Sequence, residues 1–294
     1  MGLNIQYLSK SFGETKAVQN LSITLEKGQV LGLLGRNGAG KTTTIKMILG
    51  LQTPNQGEIT WDGSSLDRSK VSIGYLPEER GLYLKSKINE QLRYFGELEG
   101  MSRKQADDAI DYWLEKLEIS NYKMKKANEL SKGNQQKIQL IATLMHNPEL
   151  IILDEPFSGL DPVNANLLTT IIEEQITAGK TVILSSHRME QIENFCEQIC
   201  LMKEGKAIVQ GRLNEIKQNY GYSNLSLSSN KTIETALSEW NIPFETKHAD
   251  VVIRVRNDKE AIQLLNRFEA HSIPIRNFKM LEPTLNEIFI ERVG

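Results

Sequence analysis

The first 34 residues alternate short β-rich runs with turn residues: Leu3 to Leu8, Ala17 to Leu25, then Gln29 to Leu34. The last run, QVLGLL, is continuously apolar and stops at glycines, as a strand buried on both faces does. Thr42 to Leu51 reads as helix, and Gly57 to Trp61 and Ser72 to Leu76 as further strands. From about Lys87 to Glu129 the spacing turns helical, with polar faces and few β-branched residues. Leu150 to Leu153 and Thr181 to Leu184 return to buried-strand character, each ending at polar residues. Cys200 to Met202 and Lys206 to Val209 flank a Glu204-Gly205 turn as a hairpin. Strands alternating with helices, with polar groups at the strand ends, predict an α/β core carrying an all-helical insert.

The pattern changes after Gln218-Asn219-Tyr220-Gly221, which sets a boundary between residues 1–220 and 221–294. Beyond it come a strand (Asn224 to Ser228), a helix (Thr232 to Trp240) and two strands around His248-Ala249-Asp250. A helix (Asp258 to Ala270), a strand (Pro274 to Met280) and a last helix (Thr284 to Arg292) follow. That order fits a small split βαβ layer. No internal repeat or low-complexity tract interrupts the chain.

Composition narrows the picture. Hydrophobic residues make up 39% and charged residues 24% of 294, ordinary for a well-cored protein. The formal net charge of -2 gives no basic excess of the kind nucleic-acid binders show. The two cysteines, Cys196 and Cys200, sit four apart where helix passes into strand, unlike a disulfide or zinc framework, and read as buried thiols. No charged leader precedes an apolar stretch at the start, so no signal peptide is expected. No apolar run approaches the ~20 residues a membrane span requires.

Gly35-Arg36-Asn37-Gly38-Ala39-Gly40-Lys41-Thr42 fits the phosphate-loop pattern G-x-x-x-x-G-K-[ST] at every position, with a buried strand before it and a helix after. The glycines let backbone N–H groups turn inward around phosphates, and the helix start adds positive potential. Lys41 is placed to reach the β- and γ-phosphates, and the Thr42 hydroxyl to bind Mg²⁺. Downstream, Leu150-Ile151-Ile152-Leu153-Asp154-Glu155 ends an apolar strand in two acids. Asp154 suits the same Mg²⁺, and Glu155 suits a general base for water.

With Leu130-Ser131-Lys132-Gly133-Asn134-Gln135-Gln136 between these motifs, residues 2 to about 215 resemble the nucleotide-binding domain of ABC transporters. Physically the segment is a helix start: Ser131 can cap it, and its hydroxyl, the Gly133 amide and the helix dipole form a second anion site. The resemblance implies that this site faces the γ-phosphate held by a second copy or a homologous subunit. Two ATP molecules are then buried head to tail. It also implies that Phe12 stacks on adenine, the alternative being a strand-end core residue. Thr43 lies beside the α-phosphate, Ser158-Gly159-Leu160-Asp161 crosses the dimer, and His187 contacts the γ-phosphate. The implied fold is a P-loop ABC ATPase core with an antiparallel β-subdomain and an inserted α-helical subdomain (about 80–130), plus a small α+β C-terminal domain.

Two positions depart from the family pattern. Glu78, in Gly74-Tyr75-Leu76-Pro77-Glu78, stands where glutamine is usual; it can still offer an oxygen to Mg²⁺ but adds negative charge. Lys132 and Asn134 replace the usual glycine and glutamine, and Lys132 either adds charge near the phosphates or points to water. Ile73 to Tyr83 (IGYLPEERGLY), with Pro283 to Phe289 (PTLNEIF), is similar to the bacterial sodium-efflux and drug-efflux ATPase subunits. That branch implies a cytoplasmic ATPase held at the inner face of the membrane by a separate permease, whose coupling helix would seat on the helical insert. The basic run Tyr122 to Lys126 is then either a solvated face or a patch near the permease and headgroups. DNA-repair relatives carry a long coiled coil and translation-factor relatives two motif sets; this chain has neither. A binding-only role is disfavoured by the intact Lys41, Asp154, Glu155 and His187.

Overall fold

The computed structural model describes residues 1–79, 81–247 and 249–293, which fall into two compact units, Met1–Gly211 and Arg212–Gly294. In chain order the first unit begins with β1 (Gly2–Phe12), β2 (Thr15–Glu26), β3 (Val30–Leu34) and α1 (Lys41–Ile48). Next come β4 (Gln56–Trp61), β5 (Ser64–Ser65) and β6 (Ile73–Leu76). The helices α2 (Ile88–Leu98), α3 (Arg103–Lys116) and α4 (Lys132–Leu144) follow, with short 3₁₀ turns before α4. The unit closes through β7 (Leu150–Asp154), α5 (Pro162–Thr177), β8 (Thr181–Ser186), α6 (Met189–Glu193), β9 (Gln198–Lys203) and β10 (Lys206–Arg212).

Two sheets share one core. β2-β1-β4-β5 form an antiparallel sheet whose Leu21, Ile23 and Leu25 alternate inward along β2. The other sheet has the order β10-β9-β3-β8-β7-β6, and β9, β3, β8, β7 and β6 run parallel. Its central strands β3, β7 and β8 are buried at every residue, which is why they read as unbroken apolar runs. Register matters for function: Leu34 pairs with Ser186, and Asp154 with Ser185. The chain segments leaving β3, β7 and β8 therefore emerge together at the carboxyl ends of adjacent strands, the usual ligand edge of such sheets.

The helical insert is built from local signals. Ser102 caps α3 in a capping box with Gln105. Gly96 lets α2 approach α3 closely, since a Cβ there would lie 3.2 Å from the Ala106 Cβ. Both cysteines are buried free thiols; burial pushes Cys200 up to about 12 and Cys196 upward as well.

The second unit runs α7 (Leu213–Gln218), β11 (Ser223–Ser228), α8 (Lys231–Glu239), β12 (Glu245–Lys247), β13 (Asp250–Val255), α9 (Asp258–Ala270), β14 (Phe278–Leu281) and α10 (Leu285–Val293). The sheet order β12-β13-β11-β14 puts β13 between β11 and β12, so each βαβ step is split. Its core is Leu225, Leu227, Ile233, Leu237, Val251, Ile253 and Phe268 with their neighbours. The structure divides the chain at Gly211, ahead of the boundary after 220 read from the sequence. Tyr220 shows why that stretch goes with the second unit: its hydroxyl donates to the Ile288 carbonyl. The last strand is shorter than expected, Phe278–Leu281 instead of Pro274 to Met280, because Pro274 has no N–H and pairing with β11 starts at Phe278. His248, expected between two strands, lies outside the described residues. Among those residues no helix is long and apolar enough to cross a membrane.

Candidate functional site: a nucleotide cradle

The loop Gly35–Gly40 joins buried β3 to α1 and forms one wall of a cavity of about 730 Å³. Gly38 and Gly40 adopt φ of 81° and 107°, conformations open to glycine at little cost. A Cβ on Gly40 would lie 2.4 Å from the Ala17 carbonyl oxygen, so the β1–β2 side of the molecule presses on the loop at that point. The cavity collects Phe12, Arg36, Asn37, Gly38, Ala39, Gly40, Lys41, Thr42, Thr43, Glu78 and Glu155 from motifs scattered over the sequence. Phe12 ends β1 and is 47% exposed, with the Lys10 ammonium 5.3 Å from its ring centre. It lies at the cavity surface and not in the core.

Five side chains form two polar groups beside the loop, Lys41–Glu155–His187 and Thr42–Asp154. The Lys41 ammonium donates to the Gly35 carbonyl at 2.7 Å and lies 3.3 Å from Glu155 Oε1. Both partners of this pair are almost wholly buried. Glu155 Oε2 in turn meets His187 Nδ1 at 2.8 Å. The Thr42 hydroxyl donates to Asp154 Oδ2 at 3.1 Å. Burial raises the Asp154 carboxyl above its usual range, against the opposing hydrogen bonds from Ser185 and Thr42. Glu155 is a non-glycine residue at φ 50°, a conformation that costs about 1–3 kcal/mol and clusters at functional sites.

The site carries an excess of negative charge. Glu78 and Glu155 line the cavity with Lys41, and the Tyr75 hydroxyl is pushed up to about 12 by burial and by the charges on Asp154 and Glu78. Oxygen donors from a threonine hydroxyl and carboxylates suit Mg²⁺, which takes only one or two protein carboxylates and fills its shell with phosphate and water. Glu155 Oε1 is buried without a hydrogen bond. The residues present therefore fit a metal–nucleotide complex.

Ser131 and Gly133 do not line this cavity. Ser131 is exposed and caps α4, accepting from the Asn134 N–H at 3.3 Å. Gly133 packs on Asn164, whose N–H and side-chain amide bond to the α5 cap Asp161. The Gln136 amide reaches the Pro156 carbonyl at 2.5 Å, tying this helix to the segment just after the acid pair. The cradle and the serine-tipped helix are thus two separate features of the chain. Sequence reading missed Ser185, the buried residue beside both acids; its one visible signal was a polar pair, Ser185-Ser186, closing an apolar strand.

Residues 18–158 match the family described as ABC transporter, and residues 211–293 the C-terminal domain of DrrA1-3-like ATP-binding proteins. The ABC transporter ATP-binding protein YhaQ of Bacillus subtilis is 44% identical, the alignment covering 99% of this chain and 98% of that one. The Nod factor export ATP-binding protein I of Rhizobium meliloti is 35% identical over 72% of this chain and 64% of its own. An ATP-binding subunit of an ABC transporter superposes with a TM-score of 0.69 at 28% identity, covering 75% of this chain and 94% of that structure. The dimeric bacterial ABC transporter cassette MJ0796 shares the fold at a TM-score of 0.66 and 23% identity, covering 72% and 98%.

The chain belongs to the ATP-binding subunits of ABC transporters. It is an ATPase of that family.

Proposed function

We propose that the chain hydrolyses MgATP in a closed dimer and thereby drives a separate permease that exports sodium ions or a drug-like solute. The observation that supports it most is the buried pair Lys41–Glu155 on the wall of a nucleotide-sized cavity, with exposed His187 on the same carboxylate and Thr42–Asp154 beside it. Lys41 and the loop N–H groups bind the phosphates, with Phe12 against the base and Thr43 beside the α-phosphate. Thr42, Asp154 and Glu78 would hold Mg²⁺, which neutralises phosphate charge. Glu155 takes a proton from the attacking water as the bond from γ-phosphorus to the bridging oxygen breaks, and His187 orients that carboxylate. Ser131 and Gly133 of a second subunit, identical or homologous, complete the γ-phosphate shell.

Export is favoured by the branch resemblance and by the similarity to the Nod factor export ATP-binding protein I. The permease seat is supported by an apolar groove of about 260 Å³ lined by Tyr75, Leu82, Phe95, Leu98 and His146, with Tyr83 and Tyr94 exposed nearby. Such a partner would hold the subunit on the cytoplasmic face of the membrane; nucleic acid has no part in the proposal.

Glu155→Gln tests the scheme. It keeps the shape of the base and removes its basicity, so ATP should still bind, turnover should fall at least ~100-fold, and size exclusion with MgATP should show a dimer. A variant that stays monomeric under saturating MgATP would refute the closed dimer.

A further inference from the structure

We propose that Ser185 is a positioning residue for hydrolysis, its single buried hydroxyl setting the Asp154 carboxylate and the Glu155 backbone at once. Ser185 is fully buried on β8, in register with Asp154 on the neighbouring parallel strand β7. Its hydroxyl donates to Asp154 Oδ1 and accepts the Glu155 N–H at 3.1 Å. The same N–H also reaches the Ser185 carbonyl at 3.2 Å. A hydroxyl has one proton to give and lone pairs to receive, and both uses are taken here.

The consequence for Asp154 is a division of labour between its two oxygens. Oδ1 is occupied by Ser185, which fixes the carboxylate plane and leaves Oδ2 directed at the Thr42 hydroxyl, 3.1 Å away. The consequence for Glu155 is a held backbone. Its left-handed φ of 50° persists only where surroundings enforce it, and Ser185 grips its N–H with side chain and carbonyl together. Two residues further along the same chain, His187 meets the Glu155 carboxylate at 2.8 Å. One strand end therefore fixes the base at both its backbone and its side chain. Partners that orient a metal ligand commonly matter 10–100-fold for affinity or activity while touching no substrate.

The inference rests on the reading that Asp154 serves the metal and Glu155 the water, so the experiment separates the two. Full-length wild type, Ser185→Ala, Ser185→Cys, Ser185→Thr and Asp154→Asn are compared by steady-state ATPase kinetics. Mn²⁺ titration with ATP present, followed by electron paramagnetic resonance, and ATP binding in chelator complete the set. Loss of positioning should lower kcat and Mn²⁺ affinity about 10-fold or more in the alanine and cysteine variants. Metal-free ATP affinity should stay within about 2-fold, because the contacts to the nucleotide itself are intact, while KM for the metal–ATP complex rises in step with the lost metal affinity. The threonine variant, which keeps the hydroxyl, should stand near wild type. If its added methyl prevents folding, the near-isosteric cysteine variant decides against wild type alone. Unchanged kcat and Mn²⁺ affinity in the alanine variant, with Asp154→Asn impaired, would overturn the role of Ser185 only. Normal Mn²⁺ affinity in Asp154→Asn would overturn the metal reading beneath it. Equal loss of metal-free ATP binding and of melting temperature across the Ser185 variants would reduce the residue to a packing role and also overturn the inference.

Discussion

Lys41 and Asp154 are both buried beside the phosphate loop, yet their removal should move stability in opposite directions. Lys41 is the cation paired with buried Glu155, and deleting one partner of such a pair leaves an uncompensated charge. Asp154 is the reverse case. Its carboxyl is held above the usual range by burial, so the folded state binds that proton more tightly than the unfolded chain does. Stability therefore falls as pH rises from the ordinary carboxylate value through the raised one, and ionised Asp154 is a cost to the fold at neutral pH. Asp154→Asn should melt a few degrees above wild type in buffer without nucleotide or divalent ions. The gap should close below about pH 4, where both states of the wild type hold the proton. A fluorescence melting series across pH checks this; a variant less stable than wild type at neutral pH would contradict it. The trade is the familiar one in which a functional group is kept against stability.

At the scale of elements, α4 packs its serine-tipped start on α5 and hydrogen-bonds to the segment just after the acid pair. A Cβ on Gly133 would lie 2.7 Å from Asn164 Nδ2, and that amide is held by Asp161 at the start of α5. Gly133→Ala should therefore push Asn164 aside, tilt the helix tip and lower ATPase activity on the order of 10- to 100-fold, since small misplacements cost that much. ATP affinity of the monomer should be unchanged, because the cradle is made elsewhere. Adding Asn164→Ala removes the obstruction and should recover part of the loss; no recovery in the kinetic assay would rule out the packing explanation. None of this was legible in the sequence. The loop at Gly35–Thr42, the acid pair and the Ser131 cap could be read because each is a contiguous motif whose spacing states its own geometry. The Gly133–Asn164 and Ser185–Asp154 contacts join residues about thirty positions apart, and they arise from strand register and helix crossing that periodicity does not encode. The strand ending at Leu281 starts later than its sequence pattern predicts for a related reason: which residues pair depends on the partner strand, here β11.

For the molecule as a whole, the decisive feature is that two units have separate cores and only one of them holds the nucleotide cradle. Leu225, Ile233, Leu237, Ile253 and Phe268 belong to the core of residues 212–294, and the core of the P-loop unit centres on Leu31, Leu33, Ile45 and Ile152. A ligand that binds only the folded form of one unit stabilises that unit by mass action, about 2.7 kcal/mol at a hundred times its dissociation constant. For a unit of this size each kcal/mol is worth about 2–4 °C. Calorimetry of Glu155→Gln should then resolve two transitions, with MgATP raising the larger by roughly 5–10 °C and leaving the smaller in place. Using the hydrolysis-deficient variant keeps the ligand constant through the scan. A single transition that moves as one would show instead that the C-terminal unit shares the free energy of nucleotide binding. It would then be part of the motor's stroke and not a domain carried alongside it.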